Sequence, residues 1–209
     1  MKTKIKLCGL RRPEDIAHAN RVLPDYIGFV FAESRRFLHP DEAVRLKAAL
    51  DPRIQTVGVF VNETVDAMVQ ITQQVGLDVL QLHGDEDTDT LLVLHERLPG
   101  IELWKAVRVS CVQDILNADD LPVSKLVLDA RSAHAYGGTG EVADWDVVQM
   151  AKPIITKPFF LAGGLCAGNL RDALRLIEPY GVDLSSGIET DGVKDPSKID
   201  EVMRIVRGS

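Results

Sequence analysis

"KIKLCGLRRPEDIAHANRVLPDYIGFVF", Lys4 to Phe31, contains a strand, a helix and a second strand. Ile5–Gly9 is a short apolar run that reads as a strand and ends on a cysteine and a glycine. "PEDIAHANRVL" puts proline at the first helical position with two acidic residues behind it, which suits the positive end of a helix dipole. Tyr26–Phe31 is again apolar and rich in β-formers. Further runs follow at Thr56–Val61, Val79–His83, Leu103–Val107, Leu126–Asp129, Phe159–Gly163 and Val182–Ser185. Helical patterns such as "PDEAVRLKAAL", "TVDAMVQITQQV", "NLRDALRLIEP" and "DPSKIDEVMRIV" lie between and after them. The repeat is about 25 residues long and eight copies fill the chain, which predicts a (βα)8 TIM barrel of the α/β class. An open doubly wound sheet is the alternative. It calls for fewer strands at this length and for a GxGxxG after the first strand, which is missing. No linker or low-complexity stretch interrupts the pattern, so residues 1–209 read as a single domain.

Composition narrows the function. The chain has 209 residues and a net charge of −7, which disfavours general affinity for nucleic acid or anionic membrane. No apolar run reaches the roughly 18 to 20 residues needed to span a bilayer. "MKTKIKLCG" runs directly into a strand and does not read as a signal peptide, so the expected location is cytoplasmic. The three cysteines, Cys8, Cys111 and Cys166, are scattered and form no CxxC pair, which argues against a zinc site or a disulfide framework.

Barrel active sites lie at the C-terminal ends of the strands. The first strand ends in Cys8, and the fourth in "LQLHGDED", with Gln81 and His83 on one face by the two-residue period. His83 lacks the partners a metal would need, so both residues read as lining a pocket. The sixth strand ends in Asp129. The seventh and eighth end in Gly163–Gly164 and Ser185–Ser186–Gly187. Glycine permits close approach to the backbone and serine adds hydroxyl donors, and the loops after strands seven and eight commonly hold phosphate. Each motif alone can be a plain turn; two on adjacent strands point to phosphate binding. Gly137, Gly138, Thr139 and Gly140 form a Gly-rich stretch that serves either as a simple connection or as a lid over substrate.

A phosphate held by strands seven and eight leaves the attached carbons between Cys8 and Asp129, where one group can take a proton while the other gives one. Taken singly, Cys8 can be an inert core thiol and Asp129 a helix cap. Lys105, Lys125 and Lys157 do not end strands, so a Schiff-base lysine is not favoured. Lys6 shares the face of Cys8, and Asp183 that of Ser185. A lone buried charge is costly, so Lys6 and Asp183 are expected to approach each other, and a cation there favours the thiolate of Cys8.

These motifs, in this order, resemble the phosphoribosylanthranilate isomerases of tryptophan biosynthesis over nearly the whole chain. "KLCGLRRPEDI", "GFVFAESRRFLHPDEA", "VGVFVNET", "VLQLHGDE", "LVLDA", "GGTGEVADW", "FLAGGLCAGNL" and "VDLSSGIETDGVKD" carry the resemblance. It implies Cys8 as general base and Asp129 as general acid. It further implies Arg36 on the anthranilate carboxylate, while Gln81, His83 and Asp183, by their strand faces, are expected to line the substrate. The family's usual S-P-R is Ser34–Arg35–Arg36 here, which leaves Arg35 as the competing cation. The implied reaction is an Amadori rearrangement of N-(5-phosphoribosyl)anthranilate to 1-(2-carboxyphenylamino)-1-deoxyribulose 5-phosphate. It takes no cofactor and no metal, and the barrel acts as a monomer or homodimer.

Two other functions compete. The related isomerase of histidine biosynthesis acts on a substrate with two phosphates, yet the third and fourth loops here, "VNET" and "HGDEDTD", are acidic and would repel a second one. That family also resembles this chain with aspartate, not cysteine, ending the first strand. A non-catalytic sugar-phosphate-binding barrel would have no need of both Cys8 and Asp129.

Overall fold

The computed structural model describes residues 2–130 and 144–208. Eight strands pair in chain order as a closed parallel barrel: β1 (Lys4–Cys8), β2 (Tyr26–Val30), β3 (Gln55–Phe60), β4 (Val79–Leu82), β5 (Glu102–Arg108), β6 (Lys125–Asp129), β7 (Phe159–Ala162) and β8 (Gly181–Leu184). After them in turn come α1 (Pro13–Val22), α2 (Pro40–Ala48), α3 (Val65–Val75), α4 (Thr88–Arg97), α5 (Val112–Asp119), α6 (Asp144–Ala151), α7 (Ala167–Ile177) and α8 (Pro196–Arg207). All eight expected strands are present, with each end within one residue of its expected place. A turn at Ser186–Ile188 and a small antiparallel hairpin, β9 (Glu189–Thr190) with β10 (Val193–Lys194), stand between β8 and α8. The sequence reading lacks this hairpin. Its signal is nonetheless local: Asp191 and Gly192 take φ of 52° and 76°, as a two-residue turn with positive φ at both positions requires.

Helix starts follow the side chains that can accept from orphan N–H groups. Asp15 accepts from the N–H of Arg11 and Arg12 at 3.0 and 3.1 Å and pairs with the Arg12 guanidinium at 2.6 Å. Thr64 accepts from Ala67, Asp87 from Thr90 and Asp195 from Ser197. The strands are buried on both faces, as parallel barrel strands must be, so their core positions read as continuous apolar runs. Exceptions on the barrel strands are Lys6, Thr56, Gln81, Lys105, Lys125 and Asp183, polar yet buried.

Residues gather into two compact units, one of Lys6–Lys105 with Pro122–Ser124, the other of Met1–Ile5, Ala106–Leu121 and Lys125–Ser209. Each has a polar clamp where its strands begin. In the first, the Asp78 carboxylate accepts from Thr56 N–H, Thr56 Oγ1 and Lys47 Nζ at 2.7, 2.7 and 2.8 Å. In the second, Asp119 accepts from Thr156 N–H and Oγ1, both at 2.9 Å, and from Lys157 N–H at 3.0 Å. Burial pushes both carboxyls up, but these hydrogen bonds outweigh it and hold each below the usual carboxylate range.

Candidate active site

In the first unit, Cys8 closes β1 and pairs with Gly28 of β2. A Cβ on Gly28 would stand 2.8 Å from Cys8 Sγ and 3.3 Å from Lys6 Cε. The thiol and the Lys6 stem therefore share one face of β1 and fill the space that Gly28 leaves. Lys6 is wholly buried, and Cys8 nearly so. The N–H of Gly9 and that of Leu10 both donate to Gly28 O, at 2.8 and 3.2 Å, which pins the chain just past the thiol.

Gly9 has φ of 78°, and a Cβ there would stand 2.5 Å from Arg36 Cδ. The Arg36 stem thus lies across the backbone next to Cys8. Its N–H donates to Ser34 Oγ at 3.1 Å, so the serine shapes the loop that carries it. Arg35 is exposed, whereas Arg36 is half-buried.

On β4, Gln81 Nε2 lies 3.4 Å from His83 Nδ1, as expected for neighbours on one face. Gln81 is buried and its Oε1 has no hydrogen-bond partner among the described residues; His83 is exposed at the strand's end. Just beyond, Glu86 and Lys105 form a buried ion pair at 2.7 Å. Glu86 also accepts from the N–H groups of Asn62 and Gly84, and Lys105 donates to Gly84 O. This pair fixes the loop after β4. Lys105 thus meets a carboxylate and a carbonyl, not a reacting atom.

In the second unit, Asp129 closes β6 opposite Ala162 of β7. Gly163 has φ of 93°, and a Cβ there would stand 2.7 Å from Asp129 Oδ1 and 2.6 Å from Ala130 O. Only glycine permits both the backbone and the carboxylate at this position. Gly164, with φ of 65°, has no described atom within 4 Å of its Cβ position. A Cβ on Gly187 would overlap the Leu165 carbonyl, so the β8 turn packs directly on the β7 turn. The chain just past Gly163–Gly164 thus meets the Ser185–Gly187 segment backbone to backbone, at Leu165 and Gly187. Asn169 Nδ2 donates to Gly164 O at 3.0 Å, and Lys194 Nζ donates to Ser185 O at 3.0 Å. Asp183 lies within β8 and is buried. Neither Asn169 nor Lys194 was legible as part of a site, because each acts on a backbone atom.

Gly137, Gly138, Thr139 and Gly140 lie outside the described residues. Among the described residues no group of three or more His, Cys, Asp or Glu side chains could hold a metal ion, and no helix is long and apolar enough to cross a membrane.

The family profile described as "N-(5'phosphoribosyl)anthranilate (PRA) isomerase" matches residues 5–204. The chain belongs to the phosphoribosylanthranilate isomerase family. It is an isomerase of tryptophan biosynthesis by that membership. A phosphoribosylanthranilate isomerase from Thermoanaerobacter sp. (strain X514) is 43% identical over 205 residues, 98% of each chain. A crystal structure of a phosphoribosylanthranilate isomerase in complex with reduced 1-(o-carboxyphenylamino)-1-deoxyribulose 5-phosphate has a TM-score of 0.84 and 31% identity, covering 99% of this chain and 100% of that one. Monomers generated from the dimeric enzyme of Thermotoga maritima give a TM-score of 0.83 at 32% identity, covering 99% and 100%.

Proposed function

We propose that this isomerase works by general acid–base catalysis, with Asp129 as acid and Cys8 as base. Asp129 gives a proton to the ribose ring oxygen as the C1–O bond breaks, and the anthranilate nitrogen lone pair forms the C1=N bond. Cys8, as thiolate, takes the proton from C2. The electron pair of that C–H bond forms C1=C2 and the C1=N pair returns to nitrogen, giving an enol-amine. Loss of the enol proton and protonation at C1 then give the ketone. Protons move, and no electron leaves the substrate.

The observation that carries this reading is the seat of Asp129: its carboxylate lies against Gly163, beside the turn that the phosphate reading uses. A phosphate on the backbone donors of Gly163, Gly164, Ser185, Ser186 and Gly187 holds the sugar by its far end. Arg36 pairs with the anthranilate carboxylate, for which a guanidinium fork is suited. Gln81, whose buried Oε1 has an open acceptor site, His83 and Asp183 take up the sugar hydroxyls and amine. We further propose that residues 1–209 act as one domain, as monomer or homodimer, in the cytoplasm, where phosphorylated sugars are held.

Isomerisation of N-(5-phosphoribosyl)anthranilate by purified protein tests the assignment. A positioned acid or base typically contributes roughly 10² to 10⁴ in rate, so Cys8→Ala and Asp129→Asn are each expected to lower kcat by at least that order with substrate still bound. Near-native turnover by either variant at neutral pH removes that residue from the mechanism.

A further inference from the structure

The carbonyl of Ser185 faces inward onto a buried cation. Lys194, on β10, donates to Ser185 O at 3.0 Å and pairs with Glu189, on β9, at 2.7 Å. Both side chains are at least nine-tenths buried. Lys198 Nζ donates to Glu189 O at 2.6 Å and ties the hairpin to α8. Thr190 Oγ1 donates to Asp195 Oδ2 at 2.6 Å, a second tie at the same place.

A trans peptide is planar, and its C=O and N–H point in opposite directions. Fixing Ser185 O on Lys194 therefore fixes the N–H of Ser186 in the opposite sense, away from the buried pair and toward the exposed side of the turn. Ser186 is exposed, while Glu189 and Lys194 are not. The turn at Ser186–Ile188 bonds residues three apart, so the N–H groups of its first residues find no acceptor within it. A cation on the carbonyl also draws electron density through the peptide and makes that N–H a stronger donor. The β7 turn uses a neutral version of the same arrangement, with Asn169 Nδ2 on Gly164 O.

We infer that the Lys194–Glu189 pair is a positioning element for phosphate: Lys194 aims and polarises the Ser185–Ser186 peptide, and Glu189 holds Lys194 in place and cancels its charge. Lys194 itself makes no contact with the anion. The inference deepens the phosphate reading above and rests on it.

The test uses the full-length protein and inorganic phosphate as probe. Phosphate titrated into 15N-labelled protein is expected to move the Ser186 and Gly187 amide resonances. Loss of the charged donor in Lys194→Met is expected to weaken phosphate binding about tenfold and raise substrate KM by a similar factor, while kcat falls less than about threefold, because the proton carriers are untouched. Lys194→Arg keeps a cationic donor and is expected to recover most of both. A folded Lys194→Met with native phosphate affinity overturns the inference and leaves the phosphate site standing. Native protein with no phosphate response at these amides overturns the phosphate site itself. If Lys194→Met does not fold, Lys194→Gln decides: it keeps a neutral donor, so at least about threefold weaker phosphate binding supports the role of the charge, and unchanged binding overturns it.

Discussion

Arg36 lies over Gly9: its Cδ is 2.5 Å from where a Cβ on Gly9 would stand, and Gly9 itself has φ of 78°. The residue after the proposed base thus has to be glycine for two reasons, one in its own backbone and one in the arginine above it. Arg35, one residue earlier, is exposed.

This separates the two arginines. Arg36→Ala is expected to raise KM roughly tenfold or more, the scale of a lost charged hydrogen bond, and Arg35→Ala by no more than about twofold. Gly9→Ala should act in the same direction as Arg36→Ala and also cost about 1 kcal/mol of stability for the left-handed backbone. Steady-state kinetics on the three variants checks this. A larger effect from Arg35 would move the carboxylate to that residue.

Gly28 gives an independent probe of Cys8. Its backbone is not left-handed, so alanine brings no backbone strain there, but the new Cβ would stand 2.8 Å from the thiol. Gly28→Ala is expected to displace Sγ, reduce kcat at least about tenfold and destabilise the fold by roughly 1–3 kcal/mol through overpacking. If kcat stays native while stability drops, the position of the thiol is immaterial to catalysis.

The Glu86–Lys105 pair is expected to be stabilising mainly against its own disruption. Removing one partner of a buried pair leaves an uncompensated charge, so Lys105→Met should cost about 3 kcal/mol. Glu86→Gln retains one acceptor for the Asn62 and Gly84 amides and should cost less. Urea unfolding of both variants gives the order, and a Lys105→Met variant as stable as the native protein would mean that the pair contributes nothing.

Asp78 and Asp119 set part of the acid limit. Each carboxyl is held below its ordinary value by its hydrogen bonds, despite burial. A depressed folded value contributes stability that is fully present above the unfolded value of about 3.9 and is lost as pH falls through the folded one. The native protein should therefore lose stability below about pH 4, and Asp78→Asn and Asp119→Asn should each lose less between pH 7 and pH 3 while starting lower. Urea midpoints at the two pH values test the sign. An unchanged difference between the two pH values would assign the acid loss to other groups.

Much of the barrel was legible along the chain because its signals are local. Apolar runs, proline at helix starts and acidic first turns act over a few residues, and the (βα)8 repeat makes each unit announce the next. The same holds for Cys8, Asp129, Gly163 and Ser185, since a strand's C-terminal end is a position in sequence as well as in space. Gln81 and His83 on one face followed from the pleat alone. The hairpin after β8 was equally local, written in Asp191–Gly192, and was missed because the run on either side is only two residues long.

Tertiary structure decided which charges meet. Lys105 reads as a mid-strand lysine of unknown purpose until the chain brings Glu86, 19 residues earlier, within 2.7 Å. Lys194 reads as a loop cation until the hairpin folds its amine onto a backbone carbonyl nine residues back. Arg35 and Arg36 are the same residue type in adjacent positions, and only the path of the loop over Gly9 separates them. Local sequence carries periodicity and propensity, which depend on near neighbours. The partner of a buried charge depends on chain closure, and burial makes an unpaired charge costly enough that the partner has to be found.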